Sequence, residues 1–508
     1  MADRDVLLAF VHGWSVTNTE TYGGLPPRLR DEARAQGINL QVRHVLLGRY
    51  ISFHDEVRLP DLSRAFAQAC RDEIEPRLAD GQRFVCITHS TGGPVIRDWW
   101  QRYYRAAERR RCPMSHLIML APANFGSALA QLGKGRLGRL KAWLGGVEPG
   151  QGVLDWLELG SRESWDLNDA WISEGDDAIG ANGIFPFVLT GQTIDRKFYD
   201  HLNSYTGESG SDGVVRVAAA NLTARSIRLQ QQAPVRARGK KQLSASALTI
   251  DQVVDSPPTA LGIVPGASHS GRSRGIMRAV RKQVGHRKGR ATVAAILDCL
   301  QVTSKREYAR LVAVFAKDCD QCQAAEAVET YTRAEGHTDT VVHDRYSMLS
   351  FRVTDDEGYP VTDYDLLLTA GPDSDPDALP RGFFRDRQRN SVDKSALTYF
   401  LNHDVMLGAP ERVVDGAVVR AASSGTNVLG LILRPRPGEG FVHYLPCELK
   451  ASAEFLRQAL LPNGTTLIDI RVRRVVHKNT FRMGRMVGDK TRGDFKRTRP
   501  GDDIVESD

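Results

Sequence analysis

The chain has 508 residues, 41% of them apolar and 25% charged, with a formal net charge of +7. That length makes two domains the expectation, and the composition excludes a disordered or membrane-embedded protein. The charge is too diffuse to argue for nucleic acid, and seven scattered cysteines argue against a disulfide framework.

The start, Met1-Ala2-Asp3-Arg4-Asp5, carries acidic residues where a signal peptide needs basic ones, and no stretch is long and apolar enough to span a bilayer. The expectation is therefore cytoplasmic synthesis without a general signal peptide, with some other carrier if the protein works elsewhere. Val6 to Val11 is a short, continuously apolar run, as in a buried parallel strand, and it leads into His12-Gly13-Trp14. Ile38 to Val45 alternates as a second strand. Leu62 to Leu78 has helical spacing, with Phe66, Ala69, Cys70, Ile74 and Leu78 on one side.

Phe84 to Thr88 is another strand-length run, and it stops at His89-Ser90-Thr91-Gly92-Gly93-Pro94. A helical pattern follows, with Ile96, Trp99, Trp100 and Tyr103 on one face. A serine at the tip of a tight strand-to-helix turn is the layout of a nucleophile elbow. The turn lifts the hydroxyl clear of the sheet, and the helix N-terminus aims free N–H groups at a developing oxyanion. Thr88 stands where the first glycine of G-x-S-x-G is usual.

His116 to Ala121 is a further strand, ending in Pro122-Ala123-Asn124-Phe125-Gly126-Ser127. Strands alternating with helices imply a mainly parallel, doubly wound sheet whose chemistry collects at the strands' carboxyl ends. Residues 127–182 break the alternation and read as a helical lid. Leu137, Leu140, Trp143 and Leu144 line one face among Lys134, Arg136, Arg139 and Lys141, and Trp156, Leu157 and Leu159 follow. Such a helix suits a membrane surface, or equally a cap that only covers the site.

Phe185 to Thr190 returns to strand. Asp212 lies in Gly210-Ser211-Asp212-Gly213-Val214-Val215, a polar turn before a strand, and residues 228–246 read as a loop. Ala260 to Val264 is the last strand of this series, followed by Pro265-Gly266-Ala267-Ser268-His269-Ser270-Gly271. Arg272 to Arg290 is strongly basic, a closing helix and then a linker. From about 300, period-two runs at Leu349–Val353, Tyr364–Leu368 and Ile468–Val472, separated by Gly, Pro and Asp turns, point to a β-rich second domain, most simply a sandwich. Cys319-x-x-Cys322 lacks a second ligand pair beyond the distant His337 and His343, so no metal site is expected.

Ser90, Asp212 and His269 occur in the order nucleophile, acid, base, each in a loop at a strand end. His269 would take the Ser90 proton and Asp212 would fix the imidazole, with Asp195 and Asp200 as alternative acids. The N–H of Thr91, with one from Gly13 or Trp14, would bind the oxyanion.

On Val11-His12-Gly13-Trp14, Thr88-His89-Ser90-Thr91-Gly92, Leu120-Ala121-Pro122, Ser211-Asp212-Gly213-Val214-Val215 and Ser268-His269-Ser270-Gly271, the first 285 or so residues resemble a lipase-type α/β-hydrolase. The nearest groups are bacterial phospholipase-like effectors of type VI secretion and GPI inositol-deacylase-like lipases. The resemblance implies an α/β-hydrolase catalytic domain over 1–290, a β-rich accessory domain over 300–483 and a flexible tail over 484–508. It implies a serine esterase acting on membrane phospholipid, without a cofactor, delivered by type VI secretion and matched by a cognate immunity or secretion partner protein. The rival expectations are a cytoplasmic carboxylesterase for small soluble esters, and a non-catalytic interaction protein on a hydrolase scaffold.

Overall fold

Apolar runs of strand length form the centre of the molecule. A computed structural model of the chain describes residues 4–12, 19–52, 54–131, 150–194, 208–233, 246–332 and 338–476. In chain order the first strands are β1 (Arg4–His12), β2 (Ile38–Leu46), β3 (Phe84–His89), β4 (Met114–Leu120), β5 (Phe185–Thr190), β6 (Ala224–Gln231), β7 (Ser246–Asp255) and β8 (Ala260–Ile263). Six of them make one all-parallel sheet in the order β2-β1-β3-β4-β5-β8. The middle strands are buried on both faces, because helices cover each side: α1 (Leu25–Arg34), α2 (Leu59–Ala69), α3 (Gly92–Tyr103), α4 (Gln151–Leu157), α5 (Arg162–Ile172), α6 (Arg290–Gln301) and α7 (Lys305–Ala325). This is an α/β fold of hydrolase type. Ile96, Trp99 and Trp100 of α3 face the core, whereas Tyr103, grouped with them in the sequence, is 41% exposed.

The remaining strands are β9 (Val328–Thr332), β10 (Thr338–Val342), β11 (Tyr346–Asp355), β12 (Tyr364–Thr369), β13 (Phe384–Arg389), β14 (Ala396–Asn402), β15 (Arg412–Val414), β16 (Ala417–Arg420), β17 (Leu429–Pro435), β18 (Val442–Tyr444), β19 (Cys447–Ser452), β20 (Gly464–Val472) and β21 (Arg474–Val476). A second, mixed sheet of nine strands runs β12-β17-β19-β7-β6-β20-β11-β14-β13. It curls so that its two ends meet: the Tyr399 hydroxyl on β14 donates to Leu366 O on β12 (2.5 Å), and that of Tyr364 donates to Ser395 O (2.8 Å). The expected sandwich is thus one continuous sheet whose halves face each other across Leu349, Phe351, Leu368, Leu431 and Ile468.

Several expectations are corrected here. Residues 224–231 and 246–255, within the stretch assigned to the first domain, are antiparallel strands of the second sheet, with β6 paired to β20 from Thr465↔Ala224 to Arg471↔Gln230. Residues 228–231, read as loop, therefore belong to a strand, while 234–245 lie outside the described residues. A one-turn helix, Val217–Ala220, follows the Asp212 turn instead of a strand. The basic segment 272–290 is a series of turns, and the closing helix begins only at Arg290. A long helix, Lys305–Ala325, precedes the β-rich part; Ser304 caps it, accepting from Glu307 N while the Glu307 carboxylate accepts from Ser304 N.

The two sheets share apolar packing, since Tyr346, Met348, Phe400 and Leu467 belong to the same cluster as the α/β core. Polar contacts add to this: Asn390 donates to Leu159 O (3.1 Å), Gln388 to Ala128 O (3.1 Å) and the Ser391 hydroxyl to Glu158 (2.7 Å).

Candidate active site

Ser90 occupies the corner between β3 and α3. Its φ of +53° lies in the left-handed region, which a non-glycine residue adopts only when its surroundings enforce it. Here Ser90 N donates to Leu120 O (3.0 Å) and Gly93 N donates back to Ser90 O (3.2 Å). The small neighbours have a spatial reason. A Cβ on Gly93 would lie 2.8 Å from the Pro122 side chain, and one on Gly92 3.2 Å from Thr88 Cβ. Thr88 is therefore accommodated because Gly92 leaves room opposite it.

The Asp212 turn is tied internally. Asp212 Oδ1 accepts from Val214 N (3.0 Å) and Val215 N (2.8 Å), so the carboxylate is fixed before it meets its neighbour. His269 N then donates to Asp212 O (3.0 Å), coupling the two loops through backbone. With those anchors in place the side chains fall in line: His269 Nδ1 lies 2.9 Å from Asp212 Oδ2, and His269 Nε2 3.0 Å from Ser90 Oγ. All three are buried, Asp212 and His269 almost completely.

A hydroxyl against an imidazole against a buried carboxylate can pass a proton from oxygen to nitrogen and hold the resulting charge. At the helix entry, the Thr91 N–H has no acceptor among the described residues, and it points from the first turn of α3. Gly13 and Trp14 lie outside the described residues, as do the acid alternatives Asp195 and Asp200. So do Lys134, Arg136, Arg139, Lys141, Trp143 and Leu144 of the expected lid. The described part of that region, α4 and α5, turns Trp156, Leu157, Trp165 and Trp171 inward, and Leu159 is buried too. These residues pack the core and do not present a membrane face.

Several residues around the site have partners that the sequence did not reveal. His89 Nε2 donates to the carbonyl of His269 (3.0 Å), so Nε2 carries the proton. Burial, and then the nearby His269, push His89 down to about 3, keeping it neutral. His12, at the end of β1, is held by His44 (Nε2 to Nδ1 2.9 Å) and pushed down to about 3 by burial and then by His44. Arg216 closes the Asp212 turn through the Ser211↔Arg216 bridge. Its guanidinium grips Glu208 with two bonds of 2.8 Å, reaches Asp386 on β13 (2.5 Å) and lies 4.1 Å over the Phe400 ring. Glu208 and Arg216 bracket the aspartate motif with opposite charges, which was the available signal; Asp386, 170 positions away, gave none. The His269 loop is held similarly, by Glu326 accepting from Gly266 N (2.5 Å) and Glu329 accepting from Arg274 (2.6 Å). A cleft of about 1220 Å³ lies elsewhere, lined by residues including Asp55, Glu163, Arg352 and Asp469, and contains none of the three aligned residues.

No protein-family profile and no curated protein matches the chain. Among solved structures it is similar to phospholipase PlaB from Legionella pneumophila, with 42% identity and a TM-score of 0.82, covering 98% of this chain and 100% of that one. A second structure of that protein, in complex with thio-NAD, gives 41% identity and a TM-score of 0.80 over 99% of this chain and 100% of that one. With 42% identity over 98% of this chain and 100% of that one, the chain belongs to the family of phospholipase PlaB.

Proposed function

We propose that this protein is a serine esterase that hydrolyses acyl esters of membrane phospholipids through an acyl-enzyme. The observation that carries the proposal is the hydrogen-bonded line from Ser90 Oγ through the His269 ring to Asp212. Ser90 attacks the ester carbonyl as His269 Nε2 takes its proton; Asp212 stabilises the imidazolium; the Thr91 N–H meets the developing oxyanion. His269 then protonates the departing lysophospholipid oxygen. Water, deprotonated by the same imidazole, releases the fatty acid and restores Ser90. The phospholipid substrate is supported by the family, whose member from Legionella is a phospholipase.

The test is a fluorophosphonate probe together with mass spectrometry of a phospholipid extract before and after incubation. Labelling should fall on Ser90, and free fatty acid and lysophospholipid should appear. Ser90→Ala should leave the melting temperature unchanged and lower turnover by roughly 10³- to 10⁶-fold, as for comparable nucleophiles. Full hydrolysis by Ser90→Ala would sink the mechanism. Cleavage of short soluble esters with phospholipid left intact would instead support the carboxylesterase reading.

A further inference from the structure

We infer that the basic loop between the His269 segment and α6, residues 278–290, is a docking surface for anionic phospholipid headgroups. From 272 to 290 the chain carries Arg272, Arg274, Arg278, Arg281, Lys282, Arg287, Lys288 and Arg290 and no acidic residue. Arg274 is used by Glu329, but none of Arg278, Arg281, Lys282, Arg287 and Lys288 is in an ion pair among the described residues. Arg281, Lys282 and Arg287 are exposed. The nearest carboxylate on α1, Glu32, is already occupied by Arg28 (2.7 Å) and Gly285 N (3.1 Å).

A charge run is ordinarily just a solvated surface, and two features set this one apart. First, the loop is built rather than loose. Buried Arg28 donates to Lys288 O (2.8 Å), Arg290 to Gly285 O (3.1 Å), and Lys288 N to His286 Nδ1 (3.1 Å). Gly24 lies so close beneath it that a Cβ there would stand 2.6 Å from Lys282 N. The cations are thus displayed in a fixed constellation. Second, Val284 stands among them 62% exposed, the most exposed large apolar residue among the described residues of the α/β part. Cations around an apolar tip match a surface with phosphates outside and acyl chains beneath, whereas a nucleic acid offers nothing for the valine. The loop also adjoins the active-site edge. Gly23 and Gly24, which touch Arg278 and Lys282, follow Tyr22, whose hydroxyl donates to Val11 O at the carboxyl end of β1 (2.6 Å).

The inference rests on the phospholipase reading for its choice of partner, and the experiment separates the two. Binding is measured with full-length Ser90→Ala protein, so turnover is not needed, by co-sedimentation with vesicles of phosphatidylcholine alone or in an equimolar mixture with phosphatidylglycerol. The mixed vesicles should be bound and the neutral ones scarcely, with affinity falling as salt rises. Adding Arg281→Gln, Lys282→Gln, Arg287→Gln and Lys288→Gln together should weaken binding at low salt by roughly a hundredfold or more, since each cation near an anionic surface contributes about fivefold. Val284→Asp alone should weaken it about tenfold while preserving the steep salt dependence. The melting temperature reports folding of each variant. Unchanged affinity of the fourfold variant, equal binding to neutral vesicles, or capture of a DNA duplex in preference to mixed vesicles would each overturn the inference. If the Ser90→Ala chain docks as described but the unaltered chain cleaves no ester, the hydrolase reading fails and the docking surface stands.

Discussion

His12, His89 and His116 share an unusual condition, which is that the fold needs each of them uncharged. His116 lies between Ser115 Oγ (2.8 Å) and Val302 O (2.7 Å), stacked on Phe187, and burial pushes it down to about 4. In the unfolded chain all three titrate near 6.5. Between that value and 3 or 4 the unfolded state binds protons that the folded state refuses. Stability is therefore complete above 6.5 and falls as the pH drops through this window, each histidine adding a slope of up to about 1.4 kcal/mol per pH unit. Urea unfolding followed from about pH 7 to about pH 5 should show this decline. His116→Gln should be less stable at neutral pH yet lose stability less steeply on acidification; an unaltered slope would mean that His116 is not the group responsible. The three aligned residues of the site were legible at this scale because each signal is local: a serine, an aspartate and a histidine, each beside small residues at the end of an apolar run. The neutrality of His89 was not, since it follows from burial and from the nearby His269 ring, which only the folded chain brings about.

At the scale of elements, the Asp212 loop is held from both sides of the molecule. Gly210, with φ +75°, lets the loop pass so near Tyr346 that a Cβ would lie 2.3 Å from its ring, and Tyr346 in turn stacks on Phe400. Arg216, 2% exposed, joins Glu208 of the loop to Asp386 of β13. Burial works against this guanidinium, but the two carboxylates outweigh it and hold it charged. Asp386→Ala leaves a buried ion group incompletely paired, so stability should drop by about 3 kcal/mol in urea unfolding. Turnover of a soluble ester should fall at nearly constant KM, because Asp212 is displaced while the substrate's surroundings are not. Arg216→Lys keeps the charge but not the two-pronged grip, and should fall between Asp386→Ala and the unaltered protein. Full turnover in Asp386→Ala would show that the loop stands without the second sheet. The sequence misled most about elements in this region. β6 alternates imperfectly, its pattern being that of a strand with a partly covered outer face, and its partner β20 is remote in the chain. α7 has charged residues spread around much of its circumference and buries only a narrow row including Tyr308, Leu311, Phe315, Cys319 and Cys322, so its period is diluted.

For the whole molecule, the interlacing of two sheets sets an expectation about cooperativity. Trp99, Trp100, Trp156, Trp165 and Trp171 all lie in the first 171 residues, as do the other two tryptophans, so their fluorescence reports mainly on the α/β part, Trp165 standing at its boundary under Arg352 of β11. Far-ultraviolet circular dichroism reports on both sheets. If the shared cluster and the β6–β7 insertion bind the halves into one unit, the two signals should follow a single urea transition with the same midpoint. Separate midpoints would mean that the halves unfold independently. The insertion of β6 and β7 also has a bearing on how the protein is made. Both strands leave the ribosome long before β20, some 240 residues downstream of β6, has been synthesised. At bacterial-to-eukaryotic elongation rates of roughly 5–20 residues per second, that interval is on the order of ten seconds to a minute. Throughout it the hairpin that leads out of the Asp212 turn lacks its β20 partner, and for the first 170 residues after Arg216 the Asp386 that Arg216 pairs with is also untranslated. A growing chain that already holds Ser90, Asp212 and His269 thus lacks, until the second sheet is made, the contacts that fix the Asp212 loop.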